Sequence, residues 1–424
     1  MSVAVPPVTG RSRALHVAFF SIPAAGHVNP GLGLVSELVA RGHRVTYAMN
    51  AAFAAPIAAA GATVVPYVST PAWADGPGSQ VTSPGGEMMA FLDEAAAVLP
   101  QIVAAYDGDR PDVVVYDIGA WPAQVLAHRW GIPALQLSPT FVAYDGWEED
   151  FAWDPGAAEA TADADAEGSE PPLDAGFPDA VQRWLEDEGY GGTFTELLTP
   201  RRSVVCVPRS LQPRADTSPP QCTFVGPMLG DRAFQGDWSP PAGAGHGGRP
   251  VLLVSFGSAY TDRPGAFRAC LDAFADTDWH VVLATGPHVH AQDLGPLPAN
   301  AELHAWVPQL AILRHAAAFV SHGGMGGTLE ALSCGVPIVA VPEIAEQHVV
   351  ARRLQALDLG RLVPRQDVSA ASIGSAVRAL VDDPTSARAL AAMRADIEAA
   401  GGAPEAADVV HELAGTGGRG RDSR

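Results

Sequence analysis

The chain has 424 residues, more than one ordinary hydrophobic core accommodates, so two domains are expected. Hydrophobic residues at 47% and charged residues at 17% make a globular balance with no apolar run long enough to cross a bilayer. The formal net charge of -21 sets the chain against nucleic acid and anionic membrane surfaces as partners.

The first residues, 1–13 (MSVAVPPVTGRSR), lack the apolar centre of a secretory signal and read as a disordered leader, so a cytoplasmic protein is expected. Strand-like and helix-like segments then alternate: LHVAFFS, a helix from about Pro30 to Arg41, HRVTYAM, a helix from Ala51, and ATVVPYV. A helix over Met88 to Tyr106, the strand DVVVYD, a helix from Trp121 to Trp130 and the strand PALQLS continue the pattern. Such uninterrupted apolar strands belong in parallel sheets covered on both faces.

From Glu148 to Asp179 the composition turns to Ala, Asp, Glu, Gly and Pro, too polar for a core of its own, and a mobile excursion is predicted there. Its Asp163 and Asp165 imitate a paired-aspartate metal motif, but an acidic low-complexity run reads as solvated loop. After SVVCVP and CTFVG, the Pro/Gly-rich passage from Pro227 to Pro250 is the candidate linker.

Alternation restarts with VLLVSFG, a helix over Ala266 to Ala275, WHVVLAT, AELHAW and a short helix from Pro308. AAAFVS leads into HGGMGGTLEAL, then come PIVAVP, a helix over Ala345 to Leu357, and helices over Ala370 to Val381 and Thr385 to Ala399. The predicted units are an N-terminal α/β domain over 14–227, a linker over 228–249, a second α/β domain over 250–414 and a disordered tail over 415–424. Two such halves facing one another leave a cleft at the carboxyl ends of their strands. Cys206, Cys222, Cys270 and Cys334 are scattered without a CxxC pair and read as packing residues of a reduced protein. His288 and His290, without accompanying acids or cysteines, read as surface loop rather than metal ligands.

The glycine-rich turn after AAAFVS carries the most chemistry. A strand, a turn with Gly323, Gly324, Gly326 and Gly327, and a helix place unpaired backbone N–H groups and the positive end of a helix dipole where an anion sits. Glu330, one helical turn on, would repel phosphate, so it is read as accepting hydrogen bonds from ribose hydroxyls. Upstream, Trp306 offers a flat face for a base and Gln309 an amide that can both donate and accept. Downstream, Glu346 and Gln347 of PEIAEQ can grip several hydroxyls at once. Together these residues point to a nucleoside diphosphate sugar.

In the N-terminal half, His27 of SIPAAGHVNP follows the first strand and is expected just before the first helix, while Asp117 ends DVVVYD. Both would emerge at one sheet edge. An imidazole of ordinary pKa near 6.5 can take a proton from a hydroxyl, and a carboxylate on its far nitrogen fixes the tautomer.

WVPQ, HGGMGGTLEAL and PEIAEQ, together with GHVNP and VSFGS, resemble in order and spacing the UDP-sugar-dependent glycosyltransferases of family 1, and among them the bacterial macrolide glycosyltransferases. The resemblance covers nearly the whole chain and implies the GT-B architecture, two Rossmann-like domains facing across a cleft. It further implies that Trp306 stacks the uracil, that Gln309 contacts base or ribose, and that Ser258, His322 and Thr328 hold the diphosphate, with Val307, Gly324, Gly326 and Gly327 among the donor-binding residues. Glu330 would hold the ribose, Glu346 and Gln347 the sugar, with His27 and Asp117 as the catalytic dyad. Thr328 stands where serine is common, and Glu346 where many glucose-using members have aspartate.

The expected reaction is inverting, metal-independent and cofactor-free transfer of a hexose, glucose first, from a UDP-sugar to a hydroxyl of a hydrophobic acceptor such as a macrolide or polyphenol. The acceptor pocket is expected around Phe141 to Trp153, Met88 to Leu99 and Trp73, in a monomer or weak homodimer. A TDP-deoxysugar transferase and a catalytically silent helper protein are the alternatives.

Overall fold

The computed structural model describes residues 13–74, 86–151, 176–230, 232–245, 247–257 and 262–418. Ser258, Asp163, Asp165 and Trp153 lie outside the described residues, as do 1–12 of the expected leader.

The N-terminal half holds β1 (His16–Phe20), α1 (Ala25–Ala40), β2 (Arg44–Met49), α2 (Ala54–Ala59), β3 (Thr63–Pro66), α3 (Gly86–Ala105) and β4 (Val113–Asp117). α4 (Trp121–Trp130), β5 (Ala134–Ser138), α5 (Trp147–Phe151), α6 (Phe177–Asp187), α7 (Phe194–Leu198), β6 (Ser203–Val205) and β7 (Cys222–Phe224) complete it. Its seven strands form a parallel sheet in the order β3-β2-β1-β4-β5-β6-β7, with Phe19 of β1 in register with Tyr47 of β2 and Val115 of β4. β1 and β4 are buried along their whole length, which is why their sequences read as unbroken apolar runs.

The second half holds β8 (Val251–Ser255), α8 (Pro264–Phe274), β9 (His280–Ala284), α9 (Ala291–Leu294), β10 (Ala301–His304), α10 (Gln309–Leu313), β11 (Ala316–Ser321) and α11 (Met325–Cys334). β12 (Ile338–Ala340), α12 (Ala345–Ala356), β13 (Gly360–Leu362), α13 (Ala370–Val381), α14 (Pro384–Ala399) and α15 (Gly402–Gly418) follow. Its six strands are parallel in the order β10-β9-β8-β11-β12-β13. In each sheet the order reverses direction beside its first strand: between β1 and β4, and between β8 and β11. Open α/β sheets bind ligands at such switch points.

Four expectations are corrected. α1 starts at Ala25 rather than near Pro30, so His27 sits in the first helical turn and Pro30 is inside the helix. Pro30, the sixth residue of α1, has a φ that suits a helix but gives no N–H to the Gly26 carbonyl and crowds it with its ring. The excursion predicted over 148–179 is helical at both ends: Trp147 and Phe151 stack with ring centroids 4.0 Å apart against the core between the halves, and Phe177 is fully buried.

The second domain, expected to run to 414, packs its last helix on the first half. α15 crosses back, with Ala406, Ala407, Val409 and Val410 buried in the core beneath β1, α1 and β2. Residues 415–418, predicted as tail, are the last turn of that helix. A further core joins the halves, Phe141, Val205, Val207 and Leu211 packing among side chains of β8, β11, α11 and α12.

Candidate active site

The first switch point carries the dyad. His27 Nδ1 is hydrogen-bonded to Asp117 Oδ2, and the other carboxylate oxygen accepts the Gly119 N–H at 2.8 Å. Asp117 is 3% exposed while His27 lines the cleft, so the acid lies behind the ring and leaves Nε2 to the cavity. Helix α4 is capped by Ala120, not by Asp117, so the acid is not spent on a cap. Burial would depress the His27 pKa, but the Asp117 charge and hydrogen bond, with the charge of Glu346, outweigh it and hold the imidazole above its ordinary value.

The second switch point carries the candidate anion site. Gly324 caps α11 without a side chain, and its carbonyl takes the Thr328 N–H at 3.0 Å, which leaves the N–H groups of Met325, Gly326 and Gly327 free of intrahelical partners. Gly326 is exposed and a β-carbon there would meet none of the described residues within 4 Å. Gly324 has a different reason to be glycine: a β-carbon there would strike the ring of His322, as would one at Gly257, where φ is +87°. Desolvation, then the Arg263 charge, lowers the His322 pKa to about 4, so at neutral pH the ring is an uncharged hydrogen-bonding group rather than a cation.

Thr328 is the predicted site residue that the fold places elsewhere. It is 0% exposed, is absent from the cleft lining, and its hydroxyl has no partner among the described residues, because one residue beyond the free N–H groups the side chain turns into the core.

The other positions converge on one cleft of about 460 Å³ between the halves, lined by His27, Trp306, Val307, Gln309, His322, Gly324, Gly326, Gly327, Glu330, Glu346 and Gln347. Trp306 is 65% exposed, an open aromatic face rather than core. Gln309 Nε2 donates to Glu330 Oε2 at 2.8 Å, and Gln347 Oε1 accepts the Glu343 N–H at 2.8 Å. Glu346 reaches across the cleft to accept the Thr140 hydroxyl at 2.7 Å, which brings the expected sugar-gripping acid beside the dyad.

The expected acceptor wall is part core and part cavity: Phe91, Glu94, Ala95 and Val98 of α3 line a small pocket with Ile22, Gly119 and Ala120 beside the dyad. Phe141 belongs to the core between the halves, Leu92, Ala95, Val98 and Leu99 of α3 to the N-terminal core, and Trp73 packs on Phe91 at 4.9 Å. Ile118, Pro139 and Thr140 line the main cleft on that side. Sequence reasoning also missed Arg232, buried in the linker 3.5 Å from Glu330. The GDR triplet stood in a Pro/Gly-rich passage and gave no periodic signal.

Two Rossmann-like halves with an imidazole–carboxylate pair facing a strand-turn-helix anion site across their cleft define a GT-B glycosyltransferase. The model of the erythromycin biosynthesis protein CIII-like C-terminal domain matches residues 268–415. The chain is 42% identical over 415 residues to oleandomycin glycosyltransferase of Streptomyces antibioticus, covering 95% of this chain and 92% of that one. It is 35% identical over 420 residues to demethyllactenocin mycarosyltransferase of Streptomyces fradiae, covering 96% and 88%. The crystal structure of the glycosyltransferase of kitacinnamycin superposes with a TM-score of 0.81 at 43% identity, covering 95% of this chain and 99% of that one. The protein belongs to glycosyltransferase family 1, among the enzymes that glycosylate macrolides and related natural products. Among the described residues no helix is long and apolar enough to cross a membrane.

Proposed function

We propose that the enzyme transfers a hexose, glucose first, from UDP-hexose to a hydroxyl of a hydrophobic acceptor such as a macrolide or polyphenol. His27 Nε2 takes the acceptor proton, the oxygen attacks the anomeric carbon from the side opposite the nucleotide, and the carbon–oxygen bond to UDP breaks with its electron pair leaving on the diphosphate. Attack from that face inverts the centre and gives a β-glycoside from an α-linked donor. The observation that carries the reading is the His27–Asp117 pair facing the α11 amides across one cleft, with Glu346 between them.

Charge on the departing diphosphate is met by the free N–H groups of Met325, Gly326 and Gly327 and by neutral His322, so no metal is required. Activity is expected to persist in excess EDTA; a complete loss restored only by a divalent ion overturns the metal-free reading.

Glu330 supports UDP over TDP, because a ribose offers its carboxylate a second hydroxyl. A TDP-deoxysugar donor is the second reading, favoured by the 35% identity to a mycarosyltransferase. Turnover of UDP-glucose and of TDP-deoxysugars on macrolide and flavonoid panels, read by mass spectrometry, decides. The proposal expects UDP-glucose to lead and fails if only the deoxysugar is transferred.

A further inference from the structure

Arg232 lies in the passage that joins the halves, yet it is 6% exposed, rare for a charged side chain that merely connects domains. Its Nε donates to the Leu229 carbonyl at 2.7 Å, which fixes the guanidinium at its root. Its Nη1 lies 3.5 Å from Glu330 Oε1 and has no hydrogen-bond partner among the described residues. The other oxygen of the same carboxylate is taken by Gln309 at 2.8 Å. Glu330 is therefore held from two sides, by the start of α10 and by the linker.

The linker is itself pinned. A β-carbon on Gly33 of α1 would collide with the Met228 carbonyl, and one on Gly230 would come within 3.8 Å of the Gly33 Cα. Arg232 thus reaches the cleft from a segment seated on the helix that carries His27. A buried cation beside a buried acid costs desolvation that their attraction only partly returns, so stability alone is a weak reason for the pair.

We propose that Arg232 is a positioning residue for the donor: it aims the Glu330 carboxylate at the ribose hydroxyls of a nucleoside diphosphate and so ties the linker and α1 to nucleotide recognition. This rests on the ribose reading of Glu330 given above. An ion pair with a structural role alone would lower stability without changing how the enzyme tells a ribonucleotide from a 2′-deoxyribonucleotide.

The test is calorimetric binding of UDP and of dTDP to the full-length wild type and to Arg232→Lys, Arg232→Gln, Glu330→Gln and the double variant Arg232→Gln/Glu330→Gln, with thermal melts and acceptor KM alongside. Wild type is expected to prefer UDP. Arg232→Gln is expected to weaken UDP about tenfold, the size of one charge-assisted contact, while dTDP and the acceptor KM change far less. Arg232→Lys keeps the charge without the fork and is expected to fall between the two, which preserves the comparison if the glutamine variant does not fold. The double variant is expected to bind UDP no more weakly than Glu330→Gln alone, because Arg232 acts through that carboxylate. UDP binding to Arg232→Gln within twofold of wild type, equal losses for both nucleotides, or additive losses in the double variant would each overturn the inference. A wild type that prefers dTDP overturns the UDP reading instead, and the same non-additivity measured with dTDP then decides the role of Arg232. A wild type that binds neither nucleotide overturns both.

Discussion

His27 stands between opposing influences: burial pushes its pKa down, and the Asp117 carboxylate with Glu346 behind it pushes harder the other way. A base must be uncharged to accept a proton, so kcat/KM is expected to fall as pH drops through a His27 pKa that lies above the ordinary 6.5. Asp117→Asn removes both the charge and the carboxylate acceptor, so the acid limb of the profile should move to lower pH and kcat should fall by about 10²–10⁴. Glu346→Gln removes a weaker cause and should move the limb less. A profile that Asp117→Asn leaves in place would show that another group titrates. His27→Ala should abolish turnover while UDP binding is retained, since the ring belongs to the opposite wall from Trp306 and Glu330.

At the scale of elements, β11–turn–α11 makes a sharp distinction between two glycines that look alike in sequence. A methyl group at Gly326 meets no atom of the described residues within 4 Å, and alanine is the better helix former by about 1 kcal/mol, so Gly326→Ala should be as stable as wild type or slightly more. It should nonetheless raise the donor KM, because the methyl is added at an exposed position on the cleft wall. Gly324→Ala should instead lower Tm, because its β-carbon meets the His322 ring. Equal Tm losses in both variants would place the α11 start in the core rather than at a ligand. This element was legible because strand, glycine turn and helix follow one another within a few residues, and the convergence of Trp306, Gln309 and Glu330 was legible for the same reason. Thr328 was not: a hydroxyl in the first turns looks like a ligand group until helical phase turns it inward. Arg232 was invisible because its partner lies 98 residues on, at Glu330, and no local pattern connects a linker to a distant helix. The α1 start was displaced because a proline within a helix and one at its first residue look the same on paper.

The whole molecule is closed by its last helix. The sequence placed 402–414 with the second domain by simple continuity, but α15 packs on α1, its Ala406, Ala407, Val409 and Val410 filling the core of the first. The Gly402 N–H also bonds the Val225 carbonyl at 2.8 Å, just where the first half ends. Arg353 of α12 spans the same junction, donating to the Leu211 and Ser210 carbonyls at 2.9 and 2.8 Å. Each fully buried valine contributes about 1.5–3 kcal/mol, so Val409 and Val410 together amount to about 3–6 kcal/mol against a net domain stability of about 5–15 kcal/mol. Deleting the chain after Ala400 should therefore unfold the N-terminal half or lower its Tm by 10 °C or more, a shift of the size expected from a few kcal/mol. Val410→Asp should do nearly as much with the chain length intact, whereas Glu412→Gln, at a solvent-exposed position of the same helix, should change little. Because a single core runs between the halves, scanning calorimetry of the wild type should give one cooperative transition. Two well-separated transitions, with the truncated chain retaining both, would mean that α15 is an ornament on two independent domains rather than the element that makes them one enzyme.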